Sequence, residues 1–70
     1  MADFKTEFST RLKALRTDRR IGIVRAAEDI GITYCALRGY ERGANMPNAE
    51  VLAYICKYYG VTADYLLGLE

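Results

Sequence analysis

The chain of 70 residues has no histidine, only two cysteines and no long apolar run. Each absence removes a class of function. Without an imidazole, histidine-based acid–base and triad chemistry is excluded, and so are the usual zinc-ligand spacings. No metal and no cofactor is expected. An enzyme is the least expected class, because no catalytic constellation is present and so short a chain encloses little pocket. No stretch nears the ~20 apolar residues of a membrane span, so no membrane partner is expected. The opening MADFKTEFSTRLK carries early charge and no long apolar segment, and no secretory signal is visible. Cys35 and Cys56 allow one disulfide, but without an export signal reduced thiols in a cytoplasm are expected instead. A strong charge of one sign is missing too. The net charge is +1, short of the basic balance that signals nucleic acid on its own.

What is present is a foldable core. Hydrophobic residues make up 51% of the chain, enough for one domain over residues 1–70, near the lower size limit for folding without staples. The charge is unevenly distributed. Arg11 to Arg42 holds eight basic residues against four acidic, a local +4, and Gly43 onward has one lysine against three acids. Either a nucleic-acid face or ordinary surface charge produces such an asymmetry.

The basic half contains the stretch that organises the rest, AAEDIGITYCALRGYERG from Ala26 to Gly43. A short apolar helix pattern (Ala26, Ala27, Ile30) stops at Gly31, which suits a left-handed helix end. Thr33 caps a second pattern carrying Ala36, Leu37 and Tyr40 on one side, closed by Gly43. Ile32, between them, points inward. Two short helices joined by a tight glycine-containing turn predict a helix-turn-helix over residues 23–42, a motif whose second helix enters the major groove of DNA.

The flanking chain reads as three more helices. Phe4 to Arg19 spaces Phe4, Phe8, Leu12 and Leu15 as a core stripe, and Gly22 is a poor cap for the helix from Val24 to Ile30. Pro47 keeps Met46 out of helical geometry. Asn48 caps a fourth helix with Leu52, Ile55, Cys56 and Tyr59 inward, closed by Gly60. Val61 packs inward and Thr62 caps a short fifth helix, Asp64 to Leu67. The predicted fold is all-α, a compact five-helix domain.

From Phe8 to Gly68 the sequence resembles the lambda-repressor-like, or Xre-type, helix-turn-helix family. The resemblance rests on FSTRLKALR, AAEDIGIT, YERGANMP and VLAYICKYYGVTADYLLG, without gaps. It implies a five-helix domain that binds double-stranded operator DNA as a two-fold homodimer in transcriptional control, with repression expected. It also implies a structural brace between Arg16 and Glu41. The family's base readers fall on Tyr34, Cys35, Arg38 and Gly39. Arg38 suits the guanine O6/N7 edge; Tyr34 suits a phosphate, a base or a thymine methyl; Cys35 is small, and Gly39 offers only close backbone approach. Arg42 and, more weakly, Asn45 are expected at phosphates. Where the family commonly has a serine cap followed by glutamine, this chain has Gly22 and Ile23. The backbone amides there, helped by Arg19, Arg20 or Arg25, are expected to hold a phosphate instead.

Val51, Tyr54 and Tyr58 form a second stripe on the fourth helix, which Tyr65 and Leu69 extend. An apolar patch is expected there, covered in a homodimer, unless the tyrosines lie on their own surface with wet hydroxyls. With nothing beyond Glu70, control is expected to come from abundance, proteolysis, a second copy or a regulatory protein partner. The rival expectation is a protein-interaction module that keeps the fold without operator recognition, which Ile23, Cys35 and Gly39 favour.

Overall fold

Capping residues cut the chain into five helices, α1 (Phe4–Asp18), α2 (Ile23–Ile30), α3 (Tyr34–Arg42), α4 (Ala49–Tyr59) and α5 (Ala63–Leu67). The structure is a computed structural model that describes residues 3–70; the first two residues of the expected 1–70 unit lie outside it. The Asp3 carboxylate accepts from the Lys5 and Thr6 amides and opens α1. The Thr6 hydroxyl also donates to it, which holds the Asp3 carboxyl below its ordinary range. Thr33, Asn48 and Thr62 cap α3, α4 and α5 with side-chain oxygens at 3.0, 2.8 and 3.0 Å from the amide three residues on. Each such cap contributes about 1 kcal/mol. Gly22 caps α2 with no side-chain bond.

Two helix ends differ in an instructive way. Gly31 closes α2 at φ 92°, a conformation natural to glycine. No glycine follows α1, yet the chain makes the same turn: Arg20 takes φ 56°, and Ile21 N donates to Arg16 O at 3.2 Å. A left-handed non-glycine residue costs roughly 1–2 kcal/mol. The turn drops Ile21 against the core, which offsets that cost. The helix therefore ends at Asp18, one residue earlier than the sequence pattern suggests.

The core collects Phe8, Leu12 and Leu15 from α1, Ala26, Ala27 and Ile30 from α2, and Leu37 from α3. Ile55 and Tyr59 from α4 and Leu66 from α5 complete it. Full burial of each large apolar side chain contributes about 1.5–3 kcal/mol. Phe4 does not join: it is 50% exposed, because the first turn of α1 runs past the core. Helix α3 lies against α1 on one side and α2 on the other, and α4 and α5 close the far side over α2 and α1. Ala26 and Ala27, both buried, keep the inward side of α2 small. Among the described residues there is no strand, and no helix is long and apolar enough to cross a membrane.

Tyr59 is the odd member of this core. It is 4% exposed, and its hydroxyl has no protein hydrogen-bond partner. Burial is the main cause that pushes the phenol up from 10.0 to about 12. A raised phenol pKa stabilises the fold fully below pH 10 and loses that contribution as pH rises through about 12. Tyr59→Phe is therefore expected to be as stable as the parent at neutral pH, or about 1 kcal/mol more stable, with a shallower loss of stability at alkaline pH. Urea unfolding at neutral and alkaline pH checks this; a destabilised neutral-pH variant would show that the hydroxyl has a partner.

Candidate nucleic-acid interface

The site is built on a charge pair. Arg16 Nε donates to Glu41 Oε2 at 2.7 Å, and Nη2 donates to Oε1 at 3.0 Å. The side chains are 15% and 5% exposed. Arg16 Nη1 also donates to the Ile21 carbonyl at 2.9 Å. One guanidinium thus ties α1 to α3 and to the link that leads into α2. The bonds to Glu41 raise the Arg16 pKa further above its ordinary value, so the cation is permanent.

With Leu37 and Glu41 turned inward, α3 presents Tyr34, Cys35, Arg38 and Arg42 to solvent. Arg38 Nη1 donates to the Tyr34 hydroxyl at 3.2 Å, which draws the guanidinium back toward the N-terminal end of the helix. Beside this face lies a polar cleft of about 290 Å3 lined by Lys13, Arg16, Ile23, Arg38, Glu41 and Arg42. It sets four cations against one carboxylate at the start of α2, where free amides add positive potential. Lys13 was not singled out from the sequence. Its position three residues before Arg16, on the same side of α1, was the available signal.

The remaining expected contacts separate. Arg20 is exposed. Arg25 is exposed and pairs with Asp29 at 3.1 Å. Arg19, expected at a phosphate, is exposed and also has partners within the fold. It donates to the Leu15 and Tyr59 carbonyls at 3.1 and 3.0 Å and lies over the Tyr59 ring at 5.4 Å. It thereby satisfies a carbonyl at the end of α4. Gly39 is partly exposed and Asn45 packs over it: a β-carbon there would meet Asn45 Nδ2 at 2.9 Å. Cys35 is exposed and free; Cys56 is partly buried and free, and burial raises its pKa.

The tyrosine stripe does not form one surface. Val51 and Tyr58 are half-buried against the core, and the Tyr58 hydroxyl donates to Asp29 Oδ2 at 2.8 Å. Burial first, then this bond, raises the Tyr58 pKa. Tyr54, 51% exposed, shares an apolar groove with Asp29, Ile30, Lys57 and Tyr58. Tyr65 lies on the α1 side, under the Arg11 guanidinium at 4.9 Å. Leu69 is exposed.

These features, two short capped helices with an inward-braced second helix and a cationic outer face, define a helix-turn-helix domain. The family model described as a helix-turn-helix domain matches residues 7–66, and the chain belongs to that family. It is 36% identical over 64 residues to the HTH-type transcriptional activator BcrR of Enterococcus faecalis, covering 91% of this chain and 31% of that protein. It is 34% identical over 62 residues to the HTH-type transcriptional regulator YobD of Bacillus subtilis (strain 168), described as uncharacterized, covering 89% and 55%. A third relative, the HTH-type transcriptional regulator AnsR of the same strain, is 35% identical over 60 residues, covering 86% and 52%. The chain thus spans about a third to a half of these relatives' lengths. In fold it is similar to the clp gene regulator ClgR from C. glutamicum, with TM-score 0.80 at 22% identity, over 96% of this chain and 87% of that one.

Breaking the brace from one side should be costly. Arg16→Ala leaves the Glu41 carboxylate buried without its partner and is expected to lower the unfolding free energy by about 3 kcal/mol, while replacing both residues with apolar ones of similar volume recovers most of that. Urea denaturation of the single and double variants measures it. An Arg16→Ala variant that unfolds at the parent's urea concentration would remove the brace.

Proposed function

We propose that this chain binds double-stranded DNA as the recognition domain of a transcriptional regulator, with α3 laid in the major groove. The observation that carries the reading is the exposed face of α3, bearing Tyr34, Arg38 and Arg42 beside the cleft that adds Lys13 and the start of α2. A helix of this kind fits the major groove, whose base edges an arginine reads with paired donors. Its neighbours hold phosphate. The named relatives are a transcriptional activator and transcriptional regulators. For this chain we propose repression, which needs only occupancy of the operator. The role is binding and not catalysis, and the compartment proposed is the cytoplasm, in keeping with two free thiols.

We propose further that two copies pair through α4 and the residues that follow α5, where Tyr54 and Leu69 are 51% and 58% exposed. Pairing would set two α3 helices one duplex turn apart. The rival reading, a module that binds a regulatory protein and not an operator, draws on the first turn of α2. Gly22 and Ile23 supply no side-chain donor to a phosphate there.

Selection of bound sequences from a random duplex pool separates the two readings. An enriched motif supports DNA recognition, and no enrichment at any salt concentration supports the protein-binding module. Arg38→Ala is expected to cost ~1–3 kcal/mol on the enriched duplex and little on scrambled DNA. Arg42→Ala should weaken both alike and reduce the salt slope by about one ion. Equal losses on both duplexes would make Arg38 a phosphate anchor. For assembly, Tyr54→Glu is the appropriate probe, since a charge at Tyr58 would also face Asp29. Sedimentation should show a dimeric parent and a folded, monomeric Tyr54→Glu variant; a monomeric parent at high concentration excludes the dimer.

A further inference from the structure

The exposed side of α3 has a gap in it. Gly39 stands one turn after Cys35 and one turn before Arg42, within the face that Tyr34, Cys35, Arg38 and Arg42 expose. A glycine inside a helix is destabilising relative to alanine. Nor does the backbone require one here, for Gly39 is not among the positive-φ residues. What it supplies is room, and Asn45 uses it. The Asn45 carboxamide nitrogen lies 2.9 Å from the point where a residue-39 β-carbon would be. The loop that delivers it is folded back by its own backbone, with Ala44 N and Asn45 N donating to the Gly39 carbonyl at 3.0 and 3.4 Å.

We propose that Asn45 serves as the side chain of position 39, a base-reading carboxamide brought onto the α3 face from the α3–α4 loop. This rests on the reading above that the face meets a duplex. A carboxamide carries a donor and an acceptor side by side. That pair matches the N6 and N7 edge of adenine in the major groove, whereas the arginines of the same face suit guanine or phosphate. Asn45 thereby takes the base-reading role that the resemblance put at Gly39, and Gly39 yields the space.

The test compares the parent, Gly39→Ala, Asn45→Ala and the double variant on the duplex the parent selects, and on versions with single A·T pairs changed to G·C. Gly39→Ala should fold normally, since the added methyl meets only the end of a flexible side chain. In the free protein it should shift the Asn45 side-chain amide resonances in a 15N spectrum. On DNA, the parent should discriminate at one A·T pair by roughly 5- to 100-fold. Each single variant should lose that discrimination, and the double variant should lose no more than either. Unmoved Asn45 resonances, retained discrimination in Gly39→Ala, or an Asn45→Ala variant that weakens every duplex equally would each overturn the proposal. A parent that binds no duplex would instead overturn the DNA reading itself.

Discussion

The orientation of α3 depends on the Arg16–Glu41 pair. Within α3 only Leu37 and Glu41 are buried. Leu37, with Tyr40 packed partly buried against the same core, anchors the helix by non-directional apolar contact. Glu41, accepting two bonds from a rigid planar fork, adds the directional contact. The third donor, to the Ile21 carbonyl, places the entry to α2 from the same guanidinium. A lysine could reach the carboxylate as a point charge but could not fix three acceptors in one plane. A buried ion pair of this kind adds little net stability over apolar packing. Its value is the angle at which α3 presents its outer face.

Charge counting and charge use differ in this small domain. Eight basic residues fall between Arg11 and Arg42, but the fold employs several of them internally. Arg16 braces α3, Arg19 holds the end of α4, and Arg11 bonds the Tyr65 carbonyl. Arg25 stands apart from these. Its pair with Asp29 is a surface contact between residues four apart, worth roughly 0.3–0.5 kcal/mol, so a phosphate can compete for it at little cost. The cations left facing the α3 cleft are Lys13, Arg38 and Arg42. A chain of net charge +1 can therefore offer a concentrated positive surface without being basic overall.

The fold was largely legible in the residues because its boundaries are local chemistry. Thr33, Asn48 and Thr62 announce helix starts, and Gly31, Gly43 and Gly60 announce ends, without reference to distant parts of the chain. The end of α1 was less clear, since Arg20 adopts a glycine-like turn supported only by distant contacts of Ile21, its packing on the core and its carbonyl's bond from Arg16. Helical spacing also fails at the edge of the core: Phe4 continues the stripe, but the core stops before it. At the site, spacing alone could not show that an exposed arginine also bonds a carbonyl on another helix, as Arg19 does. The same limit hid the contact between Asn45 and Gly39, two residues joined only when the loop folds back. It also merged Tyr58 and Tyr65 into one stripe, although Tyr58 bonds to α2 and Tyr65 lies under Arg11.

The central claim is that the face of α3 opposite the brace meets the duplex. Titration of the 15N-labelled protein with a selected duplex, followed by amide chemical shifts, addresses it most directly. Perturbations should concentrate on Thr33 to Arg42, on the first turn of α2 at Gly22 and Ile23, and on Asn45, and should leave the amides of α4 little changed. Perturbations centred on Tyr54 and Tyr58, with α3 unaffected, would contradict the account.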